Sequence, residues 1–95
     1  MPETYWTIRW PDGHEERCYS PSSVIAETFS AGQSYPLPAF MQSARRALEQ
    51  ASARVEQKYG FACSLAMDQL DRLERRAATF AGQKDARILC LAIST

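Results

Sequence analysis

The chain has 95 residues, with eleven basic and eleven acidic side chains, so its formal net charge is zero. This length allows one hydrophobic core, and we expect residues 1–95 to form a single domain. The charge balance removes the long-range attraction to phosphate that is typical of proteins that bind nucleic acid or anionic membranes, so we expect neither partner.

Two further features of the composition indicate where the protein works. No segment approaches the ~20 apolar residues that span a bilayer, and the N-terminal residues lack the basic and apolar regions of a signal peptide. The three cysteines are odd in number and widely spaced, without a CxxC pair, which argues against a disulfide framework or a zinc site. We therefore expect a cytoplasmic protein with reduced thiols.

The N-terminal segment predicts a β-hairpin. Residues 4–10 alternate, with Trp6, Ile8 and Trp10 on one face, as in a strand with one buried side. Pro11-Asp12-Gly13 has the residue types of a tight turn. Residues 15–19 then return as a second strand, whose charged side chains are typical of a solvated edge.

The next segment, residues 20–37, is less regular. Ser20-Pro21 resembles a helix start, with the serine as cap and the proline in the first turn, and predicts a short helix over residues 24–29. A short strand over the same residues fits nearly as well. Residues 30–34 are expected to be loop, and the prolines that follow stiffen the chain before a long helix.

Residues 38–59 and 64–81 predict an antiparallel helical hairpin, because apolar residues recur at three-and-four spacing in both segments. Gly60 supplies the stop between them, since glycine adopts the left-handed conformation without a Cβ clash. The apolar positions are Phe40, Ala44, Ala47, Leu48, Ala51, Val55 and Tyr59 in the first helix, and Ala66, Leu70, Leu73, Ala77 and Phe80 in the second.

The last apolar segment, residues 87–93, predicts a strand that is apolar on both faces. Such a strand is either central in the sheet or in contact with another subunit, which is the main reason to expect a dimer. The predicted fold is α+β, in the order β-β-short α-α-α-β, with the helical hairpin packed on a small sheet. We expect the strand order 2-1-3, with the last strand parallel to the first.

Several motifs together resemble one known family. They are Trp10-Pro11-Asp12-Gly13, Cys18-Tyr19-Ser20-Pro21-Ser22, Gly32 with Tyr35-Pro36-Leu37, and Ala51-Ser52 running through Arg54-Val55 into Lys58-Tyr59-Gly60-Phe61-Ala62-Cys63-Ser64. The chain resembles the small bacterial nitrogen starvation response proteins encoded in a gene cluster with a nitrilase. The resemblance implies a setting in nitrile or cyanide use as a nitrogen source, and it implies no biochemical activity.

Two cysteines are candidate reactive thiols. Cys63 lies near the start of the second predicted helix, where the helix dipole stabilises a thiolate, and Cys18 lies at the end of a strand. The competing interpretation is that both fill the core. His14 is the one histidine and is expected at the surface, so a Cys-His pair, a metal site or a bound cofactor is not predicted.

A second candidate site combines hydroxyl and aromatic side chains. Ser20 and Ser22 lie at a predicted helix start, where backbone N–H groups favour anions, and Tyr19 and Tyr35 are near them in sequence. Helix capping alone also explains the serines. Three functions follow from the sequence: a non-catalytic interaction protein acting as a dimer or on an enzyme of its gene cluster, a binder of a small anion or nitrile-related metabolite, and a thiol enzyme.

Overall fold

The computed structural model describes residues 3–61 and 64–94. Within these residues, a four-stranded antiparallel sheet packs against helices, which confirms the predicted α+β class. The elements in chain order are β1 (Thr4–Arg9), β2 (Glu15–Ser20), α1 (Val24–Thr28), β3 (Ser34–Pro36), α2 (Leu37–Tyr59), α3 (Ser64–Ala78) and β4 (Arg87–Ser94).

The hairpin of β1 and β2 forms as the alternation predicts. Trp6 and Ile8 are fully buried, and Trp6 pairs with Cys18 across the strands. Gly13 takes the positive φ of 89° that the turn requires. The strand order β2-β1-β4-β3 places β2 at one edge of the sheet, as predicted.

The segment between β2 and α2 contains the short helix α1, which was the preferred interpretation of residues 24–29. Its start differs from the prediction, because Ser20 belongs to β2 and Ser23 occupies the N-cap position. The three residues of β3 were expected to lie outside the sheet. They pair with β4 instead, with Tyr35 opposite Ile88.

The helical hairpin has the predicted boundary at Gly60. This residue has φ of 85°, and its N–H donates to the Glu56 carbonyl oxygen at 2.8 Å, which ends α2 in the left-handed conformation. The end of α3 differs from the prediction of residue 81, since the helix stops at Ala78. Phe80 lies in the following turn, is buried, and stacks on Trp10 with ring centroids 5.9 Å apart.

The direction of the last strand was predicted wrongly. β4 lies beside β1 as expected and is interior to the sheet, but it runs antiparallel to β1, and β3 adds a fourth strand beyond it. The prediction assumed that the two helices return the chain to the end of the sheet where β2 finishes. Instead, α1 and β3 carry the chain across the sheet first, so the helical hairpin returns it to the opposite end, where Arg76 of α3 contacts Asp12 of the first turn.

The helical hairpin is longer than the sheet that it covers. α2 has 23 residues and is therefore about 34 Å long, whereas the six residues of β1 extend only about 20 Å. The buried residues of α2 end at Ser52. Tyr59 was predicted to lie on the buried face and is 56% exposed, because no strand reaches the last turns of the helix.

The sheet and helices enclose one cluster of buried apolar side chains. Its centre is aromatic: Trp6 stacks on Phe29 at 5.3 Å between ring centroids, and Phe40 of α2 packs against both rings. None of the helices in the described residues has the length and apolarity to cross a bilayer.

Candidate functional site

The two serines of the predicted anion site are buried and hydrogen-bonded within their own turn. The Ser20 hydroxyl donates to the Ser22 carbonyl oxygen at 2.9 Å, and the Ser22 hydroxyl accepts from the Val24 N–H at 3.3 Å. Both side chains are at most 1% exposed. Their observed contacts organise the turn before α1, and ligand binding by them stays a prediction.

The two tyrosines lie in different places. Tyr35 is half-buried on β3, and its hydroxyl accepts the Ser30 N–H at 2.9 Å, which ties down the preceding loop. Tyr19 lies on the edge strand β2, and its N–H donates to Oε1 of the buried Gln69 at 3.0 Å. The α3 side chain thus occupies part of the free edge of β2, which reduces its ability to pair with another strand.

Cys18 and Cys90 are core residues. Both thiols are buried, and they lie on the two strands that flank β1. Burial raises the pKa of the Cys18 thiol far above its ordinary value, and the nearby Glu16 carboxylate raises it further. A thiolate is therefore strongly disfavoured at Cys18. Cys63, the other candidate reactive thiol, lies outside the residues that the structure describes.

His14 is exposed in the β1–β2 turn, as predicted. The backbone N–H of His14 donates to Asp12 Oδ1 at 2.9 Å, and this bond is the main reason that the pKa of Asp12 is lowered. The Arg76 guanidinium, 3.2 Å from Asp12 Oδ2, lowers the pKa further. No group of three or more His, Cys, Asp or Glu side chains that could hold a metal ion occurs in the described part of the chain.

Exposed apolar side chains concentrate where the helical hairpin extends past the sheet. Tyr59 is 56% exposed, Phe61 69% and Leu65 60%, and we call these three residues the hairpin tip. Lys58 lies beside them, with Nζ 5.5 Å from the centre of the Tyr59 ring. The apolar pattern of the sequence did not predict this surface, although Leu65 lies off the apolar stripe of α3 and could have indicated it.

A groove begins at the hairpin tip and runs between α3 and the edge of the sheet. Its volume is about 360 Å³, and it is lined by Tyr19, Leu65, Asp68, Asp71 and Arg72. Asp71 is paired with Arg75 at 2.9 Å, and the Arg72 guanidinium donates to Gln69 Oε1 at 3.3 Å. Asp68 is exposed and makes no ion pair with the described residues. One end of the groove is therefore apolar, and its wall carries the Asp68 carboxylate, the ion-paired Asp71 and the Arg72 guanidinium.

The family is decided by comparison with known sequences. The family model described as nitrogen starvation-induced protein NitG matches residues 5–93. The chain belongs to the NitG family. This match confirms the resemblance seen in the hairpin and helix motifs, whereas the gene cluster that the resemblance implies stays a prediction. No curated protein and no solved structure matches the chain in these comparisons.

The description of the NitG family refers to induction by nitrogen starvation and assigns no role to any residue. The structure therefore offers two candidate regions for contact with other molecules: the hairpin tip and the groove beside it. They meet at Leu65, which is exposed at the tip and also lines the groove.

Proposed function

We propose that this NitG-family chain is a non-catalytic interaction protein of the bacterial nitrogen-starvation response. In this proposal it works in the cytoplasm, either as a homodimer or by docking onto an enzyme of a nitrile-utilisation gene cluster. The observation that carries the proposal is the hairpin tip, where three large apolar side chains are more than half exposed.

The exposed apolar side chains of the hairpin tip are unfavourable in water for a chain that acts alone. Apolar groups that cluster at the surface mark contact sites more often than isolated ones do. Aromatic residues supply a large share of the binding energy in protein interfaces. Because the core of α2 ends at Ser52, the tip residues add little to the packing of the sheet. Their exposure is better explained by a contact with another chain.

The buried thiols of Cys18 and Cys90 are unsuited to nucleophilic catalysis, whereas Cys63 lies outside the residues that the structure describes. Cys18 is held in its protonated form by burial, and His14 lies at the opposite end of β2 from Tyr19 and the groove. A thiol enzyme needs an accessible thiolate with a base beside it, and Cys18 does not meet the first requirement.

The test is affinity capture from nitrogen-starved cells with the tagged wild-type chain and a tip variant carrying Phe61→Ser and Leu65→Ser. A control variant carrying Ala78→Ser and Ala81→Ser changes two exposed positions, the last residue of α3 and a residue of the turn that follows it. We expect the wild type and the control to retain the same specific protein, and the tip variant to lose it. Equal recovery by all three proteins, or recovery no greater than that of untagged cells, contradicts the proposal.

Binding of a small metabolite is the second candidate function. The groove of about 360 Å³ includes Tyr19, one of the predicted ligand residues, and falls within the range of ~300–1,000 Å³ that is typical of ligand sites. A thermal-shift panel of nitriles, nucleotides and carboxylates tests this function, since a ligand that binds the folded state raises Tm. A panel that leaves Tm unchanged argues against it.

A further inference from the structure

We propose that the hairpin tip and the adjoining groove form one self-complementary interface, in which Lys58 and the aromatic tip of each subunit contact the groove of a second copy at Asp68. This inference rests on the proposed function and specifies its partner at the tip. The two surfaces are adjacent on one chain, apolar where they meet, and opposite in charge.

Charge is the first argument for a second copy. Lys58 is exposed and forms no ion pair with the described residues, and its Nζ lies 5.5 Å from the centre of the neighbouring Tyr59 ring. Asp68 in the groove likewise makes no ion pair. A copy that places Lys58 against Asp68 pairs both charges, and the apolar tip residues beside them exclude water from the contact.

Position is the second argument. In an interface with two-fold symmetry, both subunits use the same surface. Every contact between a residue of one subunit and a residue of the other is therefore made twice. Leu65 belongs to both surfaces, and a two-fold axis beside it brings each tip onto the other groove at the same time. The overhang of the helical hairpin beyond the sheet leaves this end open to a neighbour.

The available area sets the expected strength. A buried aromatic side chain contributes about 200 Å², so the exposed parts of Tyr59 and Phe61 supply on the order of 250 Å² per subunit. With the groove walls that they cover, two subunits bury about 1,000 Å², which is the lower limit for a specific interface. A reversible dimer that dissociates on dilution is therefore expected.

The solvent-facing side of the sheet fits a second copy less well. Its centre is already covered, since the Arg17 guanidinium lies 4.3 Å from the centre of the Tyr5 ring, and Arg9 pairs with Glu15 at 2.9 Å. Leu89 and Leu91 of β4 are half-buried, whereas the tip residues are more than half exposed.

The experiment uses charge reversal and mixing, measured by sedimentation velocity over about a hundredfold range of concentration. The variants are Lys58→Glu and Asp68→Lys, both at exposed positions, and circular dichroism verifies that each one is folded. Each variant alone places like charges at both symmetric contacts, so we expect its dissociation constant to rise at least about tenfold. An equimolar mixture restores both contacts, because the new Glu faces the new Lys and the native pair remains, so the mixture should dimerise like the wild type.

Matched controls are Arg46→Glu and Glu49→Lys, which make the same charge changes at exposed positions of α2 and should leave the dimer unchanged. A wild type that stays monomeric throughout the range overturns the inference, and so does a dimer that is indifferent to the two variants or a mixture that fails to associate. A monomeric wild type whose tip still captures a different protein leaves the proposed function intact. If the wild type stays monomeric and its tip also captures no other protein, both proposals are refuted.

Discussion

Replacing Gly60 tests how strongly the turn of the helical hairpin depends on one backbone conformation. A Cβ added at Gly60 has no atom within 4 Å, so Gly60→Ala introduces no clash. The cost is conformational: φ is 85°, and the left-handed region costs an L-residue roughly 1–2 kcal/mol. We expect Gly60→Ala to lower the free energy of unfolding by about 1 kcal/mol, which corresponds to a fall in Tm of about 4–8 °C for a domain of this size.

Gly82→Ala is the matched control for this prediction. A Cβ there also has no atom within 4 Å, and Gly82 is not among the glycines with positive φ. Its replacement should be neutral or should stabilise by up to ~1 kcal/mol, because alanine restricts the unfolded chain. The measurement is urea unfolding of the two variants and the wild type under one set of conditions. A Gly60→Ala variant as stable as Gly82→Ala would refute the reasoning, and Gly60→Asn should fall between alanine and glycine.

Three further predictions concern the core and the first turn. Burial raises the pKa of the Cys18 thiol, so this thiol loses its proton at a lower pH in the unfolded chain than in the folded protein. The free energy of unfolding should therefore fall as the pH rises above 9.0, the ordinary pKa of the thiol. Cys18→Ala should remove about 1.4 kcal/mol per pH unit from that slope, and an unchanged slope in urea unfolding would contradict this. The Asp12 carboxyl should titrate below its ordinary value of 3.8 in an NMR pH series, and Arg76→Gln should raise the midpoint only partly, because the His14 N–H has the larger effect. Ala51 is fully buried on α2, so Ala51→Leu should destabilise by about 1–3 kcal/mol through overpacking, whereas the exposed Ala53→Leu should not.

The features that the sequence predicted well are those set by local rules. Periodicity located both long helices, and Gly60 marked the boundary between them because few other residues tolerate its backbone conformation. Strict alternation similarly located β1 and its buried Trp6 and Ile8. Each of these signals comes from residues within one helix, strand or turn, so no knowledge of distant partners was needed.

The errors arose where distant segments decide the outcome. β3 has only three residues and is a strand because β4 lies beside it, which no pattern within Ser34–Pro36 indicates. The direction of β4 depends on the end of the sheet that the chain reaches at residue 36, where the helical hairpin begins. Local patterns in residues 21–36 indicated α1 but neither β3 nor the path of the chain between them.

The candidate interface was missed for a different reason. Periodicity placed Tyr59 correctly on the apolar stripe of α2, but a stripe does not show how far the covering sheet extends. The two lengths were already available: a helix of 22 predicted residues is about 33 Å long, and a strand of seven residues is about 23 Å long. Comparing them predicts that the last turns of the hairpin have no sheet beneath them.

The same comparison explains why the stability and the contacts of this protein can be studied separately. The buried residues of α2 lie between Leu37 and Ser52, so substitutions of these residues change the free energy of unfolding. The tip residues beyond that point are more than half exposed, so substitutions there should leave unfolding nearly unchanged while they alter association. An overhanging hairpin therefore provides a surface that can vary without loss of the fold, and a change in association caused by Lys58→Glu or Asp68→Lys can be assigned to the interface itself.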